Sequence, residues 1–363
     1  MNPEILPIPQ LRELFREPER MSERAGLIRL DRNERLCPFP PAVFAEMMKS
    51  VTSELICTYP DPTPLYGRMS RATDLPEDRF FFTNGSDAAL RLIVQAFIQP
   101  GDKLVLSDPS YAMLGVYAKI TRADVRLIPY DLNIRLDAGR IEELLKERPR
   151  VLALPNPDQP TGTVLPQREL RQIIELAQSC GTLVVIDEAY HPFYRESVID
   201  LVKEYSNLMV TRSFSKALGL SGLRLGVMVG QPKLVEYASR LRGLHEVNAV
   251  AVVIGCYLMD HPEVVEDYVL QVAAGRKVLE EGARELGLGF PECHTNFQLL
   301  QLLRGEDSKR ILEAMKGLGF LIKGAFRSPA IRDCIRATVG PAELMQQFVV
   351  ALANVLETER KKS

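Results

Sequence analysis

Short runs of β-branched and aliphatic residues recur through the middle of the chain, at Phe80–Thr83, Lys103–Ser107, Val125–Pro129, Val151–Leu154, Leu183–Ile186, Leu208–Thr211 and Leu225–Val229. Each has the length of a strand, and their largely unbroken apolar character suits parallel strands buried on both faces. Between several of them apolar residues fall at helical spacing, as in Ala88–Phe97, Arg140–Glu147 and Gln167–Cys180. This alternation predicts an α/β fold, with a large domain built on a mostly parallel seven-stranded sheet covered by helices. Past residue 230 the pattern turns helix-rich through Leu286, followed by weaker strands near Phe297–Leu303 and Arg336–Val339 and a helix from Pro341. That predicts a smaller α+β domain. The opening residues lack a long periodic segment and read as an N-terminal arm. The expected division is an arm over 1–45 joining the small domain, a large domain over 46–245 and a small C-terminal domain over 246–363.

A length of 363 residues fits this organisation at about 150 residues per domain. Lys plus Arg total 45 against 47 for Asp plus Glu, so a net charge of −2 provides no excess for holding nucleic acid or an anionic membrane. The longest uncharged apolar stretch, Ala249 to Met259, is shorter than the ~18 residues of a membrane span and reads as a buried helix. The N-terminus has acidic residues and prolines where an export signal needs a basic start and an apolar run. Six cysteines lie far apart with no Cys-x-x-Cys pair, which reads as reduced thiols in a cytoplasmic protein. Four scattered histidines predict no metal site.

Candidate chemistry gathers immediately after the expected strands, where open α/β sheets bind ligands. Phe80–Thr83 is followed by Asn84-Gly85-Ser86-Asp87 and then a helix, an arrangement that aims N–H groups and a hydroxyl at a phosphate. Proline-bearing loops follow the next strands, at Asp108-Pro109-Ser110-Tyr111 and Pro155 to Gly162. Asp187-Glu188-Ala189-Tyr190 puts a carboxylate and a phenol at the end of a buried strand, and a buried carboxylate needs a cation or strong donors. Ser213-Phe214-Ser215-Lys216, with Gly219, Gly222 and Arg224, supplies hydroxyls, an amine and a guanidinium around a glycine-rich turn.

Together with Asn33-Glu34, Tyr59-Pro60-Asp61-Pro62, Pro160-Thr161-Gly162 and the segment from Arg336 to Gly340, these motifs resemble in order and spacing the fold-type-I pyridoxal-phosphate enzymes. Within them the chain is most similar to the histidinol-phosphate aminotransferase-like group of class I/II aminotransferases. The resemblance covers nearly the whole chain. It implies a pyridoxal 5'-phosphate cofactor bound as a Schiff base to Lys216, which also moves the proton. It implies that Asp187 faces the pyridine nitrogen, Tyr190 bonds the ring hydroxyl, and Tyr111 stacks on the ring. Gly85, Ser86, Asp87, Ser213, Ser215 and Arg224 would hold the phosphate, with Tyr59 reaching it from the neighbouring subunit of a homodimer. Arg336 would fix a substrate carboxylate, and Asn33 lies in the segment that covers the site.

Two positions depart from the group. Gln159 replaces the asparagine that contacts the ring hydroxyl, keeping the amide on a longer stem. Lys323 stands near a second substrate-anion arginine and offers a point charge without a fork. The expected activity is a cytoplasmic, homodimeric aminotransferase that exchanges an amino group between an amino acid or amino-alcohol phosphate and a 2-oxo acid. A decarboxylase resembling threonine-phosphate decarboxylase and a non-catalytic binding protein of the same fold remain alternatives.

Overall fold

The computed structural model describes residues 6–12, 14, 24–303 and 305–361, so much of the expected arm lies outside the described residues. Strands β1 Ile28–Arg29, β2 Phe80–Thr83, β3 Lys103–Asp108, β4 Asp124–Pro129, β5 Val151–Pro155 and β6 Leu183–Asp187 are followed by β7 Leu208–Ser213, β8 Gly226–Gly230, β9 Phe297–Gln301, β10 Phe320–Leu321 and β11 Cys334–Thr338. The large sheet has seven strands in the order β2-β8-β7-β6-β5-β3-β4. Its neighbours pair in parallel except around β8, which is antiparallel to both β2 and β7.

Alternation along the strands explains why both faces are apolar. Leu104, Leu106, Val151, Ala153, Leu183, Val185 and Met209 enter one core with the helix Ser86–Phe97. The residues between them, Val105, Leu152, Val184 and Ile186, enter the opposite core with the helix Gln167–Cys180. Side chains of successive strand residues point to opposite faces, so a strand covered on both sides must be apolar at every position. Gly181, at φ 73°, ends the helix Gln167–Cys180 in the left-handed conformation that glycine adopts without strain.

The C-terminal elements form a separate core. Antiparallel β9 and β11 pack with the helices Pro262–Glu285 and Ala342–Arg360 around Tyr268, Leu279, Leu300, Ile335 and Phe348. Of the arm, β1 pairs in parallel with β10, and Leu30 is buried in this same core. Two features were not visible in the sequence pattern. The helix Ala249–Asp260, assigned from sequence to the C-terminal part, contributes Ala251, Val252, Ile254 and Leu258 to the large core. Its apolar character is compatible with either core, so sequence pattern alone could not place it. The proline-rich entry also carries helices, Pro41–Lys49 and Thr63–Thr73, because Pro41 and Pro64 fall in first turns, where no N–H bond is lost. Among the described residues no helix is long and apolar enough to cross a membrane.

One glycine joins the sheet to the turn after β2. A Cβ on Gly226 would lie 2.2 Å from Ser86 N and 2.4 Å from Gly85 C, both backbone atoms that cannot rotate away. Gly226→Ala is expected to lower unfolding stability by ~1–3 kcal/mol, the usual range for overpacking, with the midpoint shift read in urea unfolding of the cofactor-free protein.

Candidate active site

The carboxyl edge of the large sheet opens into a cavity of about 1010 Å³. Parallel strands β3, β5, β6 and β7 all end at this edge, the position where open sheets leave side chains uncovered. Because β8 runs antiparallel to β7, the connection between them leaves and returns at the same edge. Ser213, Ser215, Lys216, Ser221 and Arg224 therefore all line the cavity.

Gly85 precedes the helix Ser86–Phe97 at φ 79°, and no side chain caps that helix. Its first N–H groups are left for a ligand, and Ser86 and Asp87 line the cavity at this point. A Cβ on Gly85 would stand 2.4 Å from Arg224 Nη2, so the guanidinium lies directly on the turn. Arg224 Nη1 donates to Ser215 Oγ at 3.2 Å and to Ser221 O at 3.3 Å. Uncapped amides, hydroxyls and one guanidinium make a concave donor set suited to a phosphate.

Asp187 ends β6 and is buried, its Oδ1 accepting the Thr211 hydroxyl at 2.6 Å. Burial raises its carboxyl to about 6 against that hydrogen bond, with repulsion from Asp87 and Glu188 adding to the rise. Nearby, half-buried Lys216 donates Nζ to Arg32 O at 2.9 Å and lies 5.9 Å from the centroid of the Tyr190 ring. Burial, with repulsion from Arg336, brings its ammonium down to about 8. The buried Tyr190 oxygen accepts Asn33 Nδ2 at 2.7 Å, and its ring meets Phe297 edge-on. Tyr111 donates its hydroxyl to Asp87 Oδ1 at 3.1 Å. Burial first, then these carboxylates, pushes its phenol far above the ordinary range.

Arg336 projects from β11 with its guanidinium 4.9 Å from the centroid of the Phe297 ring, and Nη2 donates to Asp31 O at 3.0 Å. Its Nε is buried with no hydrogen-bond partner among the described residues. Burial lowers its pKa, and a buried cation with an unused donor suits an incoming anion. Gln159 and Lys323 also line the cavity. Lys323 is held beside Arg336 by backbone hydrogen bonds in both directions, Lys323 N to Arg336 O at 3.0 Å and Arg336 N to Lys323 O at 2.6 Å.

Two expected site residues have partners that the sequence did not show. Asn33 lines the cavity, and its amide is engaged by Tyr190 and Thr338. Tyr59 is 80% exposed and stacks on His245 at 4.1 Å, away from the cavity of its own chain. His191 is half-buried outside the cavity lining, and desolvation lowers its imidazole to about 3, which keeps it neutral. Sequence reasoning missed Arg24 and Lys316. Arg24 is buried in the cavity wall and pairs with Asp31 at 2.6 Å and Glu34 at 3.3 Å. Neither follows a strand of the large sheet, so no pattern marked them.

Asp187 supplies a test of this electrostatic picture. Its folded pKa is raised above the unfolded value, so the folded state holds its proton more tightly and stability falls as pH rises from about 4 to about 6. Cofactor-free Asp187→Asn is expected to melt above the wild type at pH 8, and that advantage should vanish below about pH 4, as read by calorimetry across the range.

The sequence matches the family described as Aminotransferase class I and II over residues 63–352. It is 33% identical over 338 residues to histidinol-phosphate aminotransferase of Symbiobacterium thermophilum, covering 91% of each chain. It is 32% identical over 334 residues to histidinol-phosphate aminotransferase 1 of Trichormus variabilis, covering 91% of this chain and 92% of that one. Its fold matches the crystal structure of histidinol-phosphate aminotransferase from Sinorhizobium meliloti in complex with pyridoxal-5'-phosphate, at a TM-score of 0.86, 22% identity and 97% coverage of both chains.

Proposed function

This chain belongs to the class I and II aminotransferases, and from that premise we propose that it moves an amino group between an amino donor and a 2-oxo acid, using pyridoxal 5'-phosphate anchored on Lys216. The observation that carries the reading is the convergence of the half-buried Lys216 amine, the buried Asp187 carboxylate and the Arg224 and Arg336 guanidinium groups in a single cavity. The residues fit the cofactor: the Gly85 turn under Arg224 offers phosphate donors, and Asp187 is a buried carboxylate that a protonated ring nitrogen would neutralise. When bound, pyridoxal phosphate supplies an electrophilic carbonyl and a ring able to take up the electron pair left when the substrate Cα loses its proton.

The chain's own groups divide the remaining tasks. Lys216, brought down to about 8, is neutral often enough near neutral pH to accept the Cα proton and return it. With the cofactor bound, Asp187 would hold a proton on the ring nitrogen, Tyr190 would donate to the ring oxygen and Tyr111 would flank the ring. Gln159 lies within the same cavity wall as these groups. Ser86, Asp87, Ser213, Ser215 and Arg224, with the Gly85 turn, would hold the phosphate. Arg336 takes the substrate carboxylate or an equivalent anion, and Lys323 faces the donor's far end. A homodimer completes the site, with Tyr59 reaching the partner's phosphate. This pairing is supported by the exposure of Ile56, Tyr59 and Leu244, with Tyr59 stacked on His245, which shares a surface cavity wall with Ile56. The reading places the enzyme in the cytoplasm, where its cysteines remain thiols; none of the six is paired.

Lys216→Ala should lower amino transfer by roughly 10²–10⁴-fold through loss of proton transfer alone. Borohydride treatment of the wild type with cofactor should fix a pyridoxyl label at Lys216 in peptide mass maps, and an unlabelled Lys216 would refute the assignment. Carbon dioxide release without amino transfer would favour decarboxylation. Arg336→Lys should raise KM for both donor and 2-oxo acid by about tenfold while kcat changes less, because an ammonium replaces a guanidinium fork; steady-state kinetics with each substrate checks this.

A further inference from the structure

Three consecutive residues of the arm touch three groups of the site. Asp31 O accepts from Arg336 Nη2, Arg32 O accepts from Lys216 Nζ, and Asn33 Nδ2 donates to the Tyr190 oxygen. The last contact involves a side chain whose orientation is determined from every direction. Asn33 is buried at φ 58°, its N–H donates to Thr338 Oγ1 at 3.0 Å, and Asn296 Nδ2 donates to its carbonyl at 3.1 Å. Thr338 Oγ1 donates to Asn33 Oδ1 at 3.4 Å, while Nδ2 of the same amide stands on the Tyr190 oxygen.

A phenol oxygen that accepts from an amide must direct its own proton elsewhere. We propose that Asn33 is a positioning residue that turns the Tyr190 proton into the cavity, toward the ring oxygen of the bound cofactor. The inference rests on the assignment of Tyr190 to that oxygen. Through Asn33, the pairing of arm and β11 is coupled to the electronic state of the cofactor, because a donated proton stabilises the ring oxygen's anionic form and lowers the pKa read in the cofactor's visible absorption.

The test is a spectral pH titration of holoenzyme without substrate, together with the cofactor dissociation constant. Asn33→Asp keeps the shape and tolerance of positive φ but replaces a donor with an acceptor, which draws the Tyr190 proton away. Asn33→Gly removes the amide with no backbone penalty. Asn33→Asp should raise the spectral pKa by about one unit, the size of one hydrogen bond, and Asn33→Gly by less. In a Tyr190→Phe background neither substitution should move it further, an outcome that a purely structural role for Asn33 would not produce. Unchanged titration in both Asn33 variants, or shifts that persist in the Tyr190→Phe background, overturns the inference. If Tyr190→Phe itself leaves the titration unmoved, the assignment of Tyr190 fails, whatever the Asn33 variants do.

Discussion

A carboxylate buried at the tip of an interior strand is the constraint around which the large domain is arranged. Asp187 sits in the middle of the sheet, and the neighbours acting on it most strongly are a hydroxyl and two carboxylates, with no cation among them. Keeping such a group in a core destabilises the folded chain, so its presence makes sense only beside something that supplies positive charge. A protonated pyridine ring is such a partner. The cost in the empty protein and the usefulness in the loaded one have the same origin.

The second organising element is the reversal at β8. In a wholly parallel sheet, a strand following β7 would begin at the far edge, and Arg224 would begin there with it. Antiparallel pairing puts the start of β8 level with the end of β7 and the end of β2, in the register Ser213, Gly226, Thr83. Ser86, Ser213 and Arg224, from three separated segments, meet because of that register, and Gly226 permits the meeting by having no Cβ against the Gly85-Ser86 turn. The substrate side is assembled differently. Arg336 comes from β11 of the C-terminal core, while the arm runs between both cores and contacts Lys216, Tyr190 and Arg336 within three residues. Displacement of one core relative to the other would therefore be felt at Lys216, Tyr190 and Arg336 together.

Much of this was written in one-dimensional pattern. Interior strands buried on both faces must be apolar throughout and were visible as runs, the half-exposed edge strand β4 by its alternating Val125, Leu127 and Ile128 stretch, and the polar motifs after them marked the edge where the cavity opens. Motif order singled out Lys216, Asp187, Tyr190, Arg224 and Arg336, and the fold brings all five to one cavity. Tertiary structure alone decided the rest. The helix Ala249–Asp260 joined the large core because an all-apolar helix can face either core and only packing chooses. Arg24 and Lys316 reached the cavity wall from segments with no local signature, and Asn33 turned toward Tyr190 because Thr338 and Asn296, some 300 residues away, hold its amide and backbone. Local patterns report which face a residue must hide; which distant groups meet across that face is determined only when the whole chain closes on itself.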